Sequence, residues 1–148
     1  MVTRSLWLLA VLLVACGGGA KAGPEGAAER FLELYFVKID QLAAREVTSG
    51  PAREMIEQEL AEVAGVRAEG YGPDQSARSR ITYERAWVGP VVDGSARFIY
   101  DITIDVSGDT QHRHVLLTVR DDAGTWKVAT YTMKDGKARA PSGTPAAP

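Results

Sequence analysis

Cysteine is nearly missing from this chain, with one residue, Cys16, in 148. A single thiol excludes an internal disulfide framework, a CxxC redox pair and a Cys-rich zinc site. Excess positive charge is missing too. The 17 Lys and Arg stand against 19 Asp and Glu for a net charge of -2, which argues against a nucleic-acid-binding surface. No apolar run reaches the roughly 20 residues that a helix needs to cross a bilayer. There is no Gly-rich phosphate loop, no HExxH and no GxSxG, so the common signatures of nucleotide, metalloprotease and serine-hydrolase chemistry are absent. What is present, 45% apolar and 24% charged residues, is the composition of one ordinary globular domain.

The longest apolar stretch runs from Leu6 to Ala15 behind the basic Arg4 and stops at a glycine triplet, Gly17 to Gly19. That is the shape of an export signal rather than of a spanning helix. At its end, Leu13-Val14-Ala15-Cys16 resembles the lipobox of bacterial lipoproteins. The resemblance implies that residues 1–15 are removed and that Cys16 is thioether-linked to diacylglycerol. It also implies that the new amine is often acylated. At about 0.8 kcal/mol per buried CH₂, two or more chains hold a protein firmly on a membrane. The competing reading is a plain secretory signal with an incidental cysteine. Gly17 stands where the family's inner-membrane retention signal is usually Asp, so the resemblance points to the periplasmic face of the outer membrane if the cell is Gram-negative. The expected division is a signal peptide at 1–15, lipidated Cys16 and a flexible tether to residue 24, a folded domain at 25–133, and a disordered Pro- and Ala-rich tail at 134–148.

From Glu25 to about Val47, Ala28, Phe31, Leu32, Tyr35, Ile39, Leu42 and Ala43 recur at three- and four-residue steps, which predicts an amphipathic helix. Leu34, Phe36 and Val37 fall off that stripe. Ser49-Gly50-Pro51 predicts a stop and a new start. The second helix carries Met55, Ile56, Leu60 and Val63 on one side, with Glu54, Glu57, Glu59 and Glu62 on a face read as solvated. It is expected to end near Gly65, and a loop follows to Ala77. Beyond Arg78 the period drops to two. Turn signals at Asp93-Gly94, Ser107-Gly108-Asp109 and Asp121 to Gly124 then predict four antiparallel strands near 79–89, 95–106, 110–120 and 125–133. The implied pairs are Trp87 with Tyr100, Tyr83 with Ile104 and Ile81 with Val106, then Tyr100 with Val115, Phe98 with Leu117 and Ala96 with Val119. Val119 is expected opposite Trp126, and Leu117 opposite Val128. One face stays apolar across all four strands in this register.

Two N-terminal helices covering the concave side of a curved antiparallel meander, α+β in class, resemble the cystatin-like cone of the nuclear transport factor two-like superfamily. The resemblance covers roughly Pro24 to Met133. It rests on element order and on the strand Thr125-Trp126-Lys127-Val128. Larger members close a pocket with a third helix and an extra hairpin, and here only the loop from Gly65 to Ala77 is placed to do so. Enzymes of that superfamily set an Asp inside the cone. In this chain the inward strand positions are Tyr83, Tyr100, Arg85, Arg113 and Gln111, with no carboxylate among them.

Two constellations follow from the register. Arg85, Ile102, Arg113 and Thr132 are expected in one row on the concave face. There the two arginines, with Tyr83 and Tyr100, are candidates to hold an anionic or polar ligand group. The bland alternative is that the arginines pair with helix carboxylates such as Glu33 or Asp40 at the rim. On the convex face His112 and His114 point the same way, with Asp101 expected beside His114, and Glu84 and Thr103 in the row of His112. This is a candidate metal set weighed against ordinary cross-strand pairing. No catalytic residue and no cofactor is assigned. The expected function is a lipid-anchored, non-catalytic envelope module that binds a partner protein or a small apolar ligand, with the membrane as its fixed partner and no nucleic acid. The alternatives are a small-pocket enzyme of isomerase or hydrolase type and a structural accessory lipoprotein.

Overall fold

A computed structural model describes residues 22–70 and 79–139. The expected signal peptide, Cys16 and the expected tether as far as Lys21, most of the expected loop after the last helix, and the end of the expected tail lie outside those residues, while Gly23 and Pro24, expected in the tether, begin the first helix. Three helices, α1 (Gly23–Leu32), α2 (Gln41–Glu46) and α3 (Gly50–Ala68), precede a meander of β1 (Arg80–Val88), β2 (Ser95–Val106), β3 (Asp109–Asp122) and β4 (Thr125–Asp135). The strands pair in sequence order in one antiparallel sheet.

The single helix expected from Glu25 to Val47 is broken. After α1 the chain makes a π-helical turn over Glu33–Val37, in which Lys38 N–H donates to the Glu33 carbonyl at 2.9 Å. The extra residue per turn shifts the phase, so Phe36 is buried although it lies off the stripe that holds Phe31 and Leu32. Ile39 then adopts φ +54 and Asp40 caps α2, its side chain accepting from Ala43 N–H at 3.0 Å. A β-branched residue in the left-handed region cannot continue a helix. This break leaves Ile39 and Leu42, expected in the core, 59% and 56% exposed, and buries Ala44 instead.

The β2–β3 register is the expected one, with Tyr100 opposite Val115, Phe98 opposite Leu117 and Ala96 opposite Val119. The other two hairpins slip. Val92 and Ser95 close the expected Asp93-Gly94 turn, but the pairing has slipped by one residue where Val88 faces Phe98 and Trp87 faces Ile99, and a bulge between Arg85 and Trp87 adds a second, setting Tyr83 opposite Ile102 and Ile81 opposite Ile104. At Tyr83 and Ile81 the displacement is two residues, which preserves the side, and both still pack on the core. In the last hairpin the turn is Ala123-Gly124 and a second bulge falls at Thr118/Val119. Val119 therefore meets Val128, Asp121 meets Trp126 and Leu117 meets Tyr131. Strand β4 runs two residues past its expected end. Beyond it Gly136 N–H donates to the His112 carbonyl and Ala138 N–H to Asp101 Oδ1, so the start of the expected tail is pinned to the convex face of the sheet. The α2–α3 linker joins the other side of β4 through Ser49 N–H to the Val128 carbonyl and Val128 N–H to the Val47 carbonyl.

The core is the concave face of the sheet, with Ala96, Phe98, Tyr100, Ile102, Val115, Leu117, Val119 and Val128, closed over by Ala28, Phe31, Leu32, Ala52 and Ile56. One glycine is fixed by packing. A Cβ on buried Gly89 would lie 2.7 Å from Trp87 Cη2, because the indole folds back over the backbone there. Gly89→Ala should therefore unseat the ring and cost about 1–3 kcal/mol. Urea unfolding together with a red shift of tryptophan emission would show it. Unchanged stability and emission would mean that the ring is not seated on that glycine.

Candidate functional site

The structure does not bring the two arginines into one row. Arg85 stands opposite Tyr100, whereas Arg113 stands opposite Ile102 on the far side of β2, one row away, and Thr132 falls on the other face opposite Leu116. Each arginine has its own carboxylate. Arg85 pairs with Glu25 at the start of α1, and Arg113 Nε lies 3.3 Å from Asp135 Oδ1. The helix partner is thus Glu25 rather than Glu33 or Asp40. Both guanidinium groups sit at the rim, half in water, where such pairs contribute little to stability.

Behind Arg85 lies a polar group with less company. Tyr100 is 1% exposed, its ring meets Tyr83 edge-on with centroids 6.0 Å apart, and among the described residues its hydroxyl has no hydrogen-bond partner. Burial drives this hydroxyl far above the ordinary tyrosine range, and the nearby charges of Glu29 and Glu25 push the same way. Of the four candidate anion-binding residues, Arg85, Tyr83 and Tyr100 therefore neighbour one another, while Arg113 stands apart.

A second polar group, not anticipated from the sequence, closes the cone between α1, α3 and β4. Tyr35 donates to Glu59 with both oxygens at 2.8 Å, Tyr131 reaches the Tyr35 hydroxyl and Glu59 Oε1 at 3.2 Å each, and Gln41 Nε2 adds a bond to Glu59 Oε2 at 3.2 Å. Glu59 had been grouped with a solvated face. Glu57 and Glu62 do lie on that face, bonded to Arg53 and Gln58, but Glu59 is half-buried. The available signal was position, since Glu59 is three residues after Ile56 and next to Leu60, at the edge of the apolar stripe. The phenols stack as well as bond. Tyr35 is parallel to Phe31 at 5.3 Å, and Tyr131 packs at 5.2 Å from Phe31 and 5.3 Å from Tyr35.

Burial, reinforced by bonds to Tyr131 and Glu59, holds the Tyr35 hydroxyl far above its ordinary value of about 10, and burial raises Tyr131 as well. A raised acid favours its protonated form in the fold. Its contribution to stability is thus complete below pH about 10 and is lost as pH rises beyond that. Alkaline titration at 295 nm should show Tyr35, Tyr100 and Tyr131, three of the five tyrosines, ionising only as the domain unfolds. Simultaneous titration of all five in the folded protein would contradict it.

On the convex face Asp101 lies opposite His114, and Thr103 opposite His112, as expected, but Glu84 joins the row of His114 rather than that of His112. His112 Nδ1 is 3.4 Å from Thr103 Oγ1, His114 Nδ1 contacts the Gly136 carbonyl at 3.0 Å, and Asp101 holds Ala138 N–H. The three candidate ligands are thus turned to backbone and hydroxyl partners. Among the described residues no three His, Cys, Asp or Glu side chains gather as a metal site.

Two open clefts flank the sheet. One, about 630 Å³, follows α1 past Glu29, Arg30 and Tyr83 to Gly124, Thr125 and Trp126. The other, about 690 Å³, lies beside the β1–β2 turn, between Trp87, Pro90 and Val92 and the pair Arg97 and Arg120. No helix among the described residues is long and apolar enough to cross a membrane.

No family model matches the chain, and no curated protein does. Two solved structures share its architecture. A putative calcium/calmodulin-dependent protein kinase type II association domain from Thiobacillus denitrificans is 16% identical with a TM-score of 0.54, over 77% of this chain and 95% of that one. VirB8 of Agrobacterium tumefaciens is 13% identical with a TM-score of 0.50, over 78% of this chain and 92% of that one. At such identities the likeness is one of fold alone. The chain carries the α+β cone fold of these structures, three helices on an open four-stranded antiparallel sheet.

Proposed function

We propose that this chain is a lipid-anchored protein of the bacterial envelope whose cone is a non-catalytic module binding a partner protein, the filled interior weighing against the small apolar ligand. The observation that carries the reading is the cone's interior, which is occupied by the chain's own side chains. Phe31, Phe36, Phe98, Tyr100 and Tyr131 are buried there. The helix carboxylate that closes it, Glu59, is engaged on both oxygens by Tyr35. Tyr131 adds a bond to Oε1 and Gln41 one to Oε2, so Glu59 is tied into the wall of the cone, whereas a general base is aimed at its substrate. Cys16 at the end of the apolar run supplies the anchor, and the association domain among the solved neighbours is in keeping with a protein partner.

The test is to cross-link cells, purify the protein from detergent-solubilised membranes, and analyse both the bound proteins and the organic extract by mass spectrometry. The proposal expects one stoichiometric protein. Recovery of no such protein, or of an apolar compound released only on denaturation, would overturn it.

A further inference from the structure

The first clue is a hairpin that is apolar where it meets water. In the segment connecting β1 to β2, Val88, Val91 and Val92 are 47%, 56% and 58% exposed, and Pro90 is exposed beside them. No charged residue occurs between Arg85 and Asp93. Trp87 and Gly89 pack on each other, which leaves the three valines and the proline as the outer surface of the tip. Contiguous exposed apolar side chains of this kind mark a surface made to be covered.

The second clue is where that tip lies. The turn at Gly94 touches β3 near its end, with Asp121 N–H donating to the Gly94 carbonyl at 2.9 Å, so the β1–β2 and β3–β4 turns share one end of the sheet. Helix α1 begins at that same end. Glu25 pairs with Arg85, and Gly23, Gly26 and Ala27 share a cleft with Gly124, Thr125 and Trp126. The β2–β3 turn at Ser107-Gly108 and the end of β4, where Asp135 lies opposite Arg113, are at the opposite end. The chain leading from Cys16 therefore enters the fold at the end that bears the apolar tip.

The lengths agree. From Cys16 to Ala22 there are six Cα–Cα steps, a reach of at most about 21 Å. From Arg85, level with the start of α1, to Val91 is roughly 20 Å of extended chain. The tether is thus long enough for a lipid on Cys16 and the valines of the tip to meet one plane. The charges behind the tip are of both signs, Arg97 and Arg120 with Asp93 and Asp121, so the attraction to a bilayer is apolar rather than ionic. Trp87 and Trp126, both half-buried at this end, are the residue type that favours the headgroup boundary.

We infer that the β1–β2 tip, Val88 to Val92, seats in the headgroup layer of the membrane that holds Cys16, and so fixes the orientation of the cone upon it. This rests on the lipid-anchor reading above. A single short acylated tether leaves a domain free to tumble, and a second, apolar contact of modest strength is what restrains it. The cleft beside Arg97, lined by Pro90 and Val92 of the tip, then opens at the membrane surface, and the far end of the sheet with His112 and His114 stands clear of it.

The experiment uses the lipidated protein, whose only cysteine is consumed by the anchor. Val91→Cys and, as control at the far end, Val106→Cys, itself 38% exposed, each accept one nitroxide label. The labelled proteins are reconstituted in phosphatidylethanolamine/phosphatidylglycerol vesicles, and power saturation is measured with oxygen and with a water-soluble nickel chelate. The expected result is a label at position 91 that is relaxed severalfold more by oxygen than by nickel, insensitive to salt, and a label at position 106 with the reverse preference. Equal nickel access at both positions, with the protein still on the vesicles, would overturn the docking while leaving the anchor intact. A position-91 label shielded from both relaxants would overturn it in favour of a protein contact. Protein washed from the vesicles by carbonate would overturn the anchor, and the docking with it.

Discussion

Phe31→Ala should remove about 3–5 kcal/mol of folding stability, which is much of what a domain of this size possesses, and lower Tm by roughly 15–20 °C. The side chain is fully buried and touches three other rings: Tyr35 stacked at 5.3 Å, Tyr131 tilted at 5.2 Å and Phe36 edge-on at 6.3 Å. Its loss leaves a cavity beneath the Tyr35–Glu59–Tyr131 group, whose hydrogen bonds depend on the phenols being held in place by those rings. Leu116→Ala on the convex face, 41% exposed, is the control and should stay within about 0.5 kcal/mol. Chemical denaturation of the two variants decides the matter. If Phe31→Ala costs less than about 1 kcal/mol, a figure typical of lightly packed positions, the interior is loosely filled and the cone is a ligand pocket rather than a core.

Cys16→Ser should move nearly all of the protein from the membrane pellet to the soluble fraction. The apolar stretch before it, Leu6 to Ala15, is ten residues long and spans about 15 Å as a helix, half the thickness of the hydrocarbon core. It cannot hold the chain across a bilayer, so in this account the acyl chains supply the membrane affinity, with the hairpin tip adding orientation. Immunoblots of fractions washed with carbonate read the result directly. A serine variant that stays in the pellet as completely as the parent would rule out the lipobox reading.

How much of this was legible in the sequence varies from element to element, for physical reasons. The β2–β3 pairing followed from the pattern because Ser107-Gly108 forms a two-residue turn with positive φ at both positions and no bulge interrupts the twelve pairs after it. The pairings of β1 and β4 did not, because the last turn falls on Ala123-Gly124 within a four-residue turn signal, and the slip before Val88 and the bulges at Arg85/Trp87 and Thr118/Val119 carry no residue signature. Even there the alternation kept Ile81 and Tyr83 on the core side, so the apolar face was right where the partners were wrong. The break in the first helix left a trace that could be read two ways. Phe36 falls off the stripe, and that is the mark of a π-helical turn five residues after Phe31. Arg85 and Arg113 were expected to converge, and the slip before Val88 together with the bulge in β1 is what parts them by a row. Glu59 was hidden among four glutamates whose spacing alone does not say which one meets Tyr35 and Tyr131, residues 24 and 72 positions away in the chain.

The central claim, a domain carried on a lipid anchor at Cys16, is tested most directly by the intact mass of the protein extracted from membranes in detergent. The account predicts a mature chain that begins at Cys16 and is heavier than its amino-acid sequence by a thioether-linked diacylglycerol, with or without a further acyl chain on the new amine. A mature chain beginning at any other residue, or one that carries Cys16 as an unmodified thiol, would contradict it.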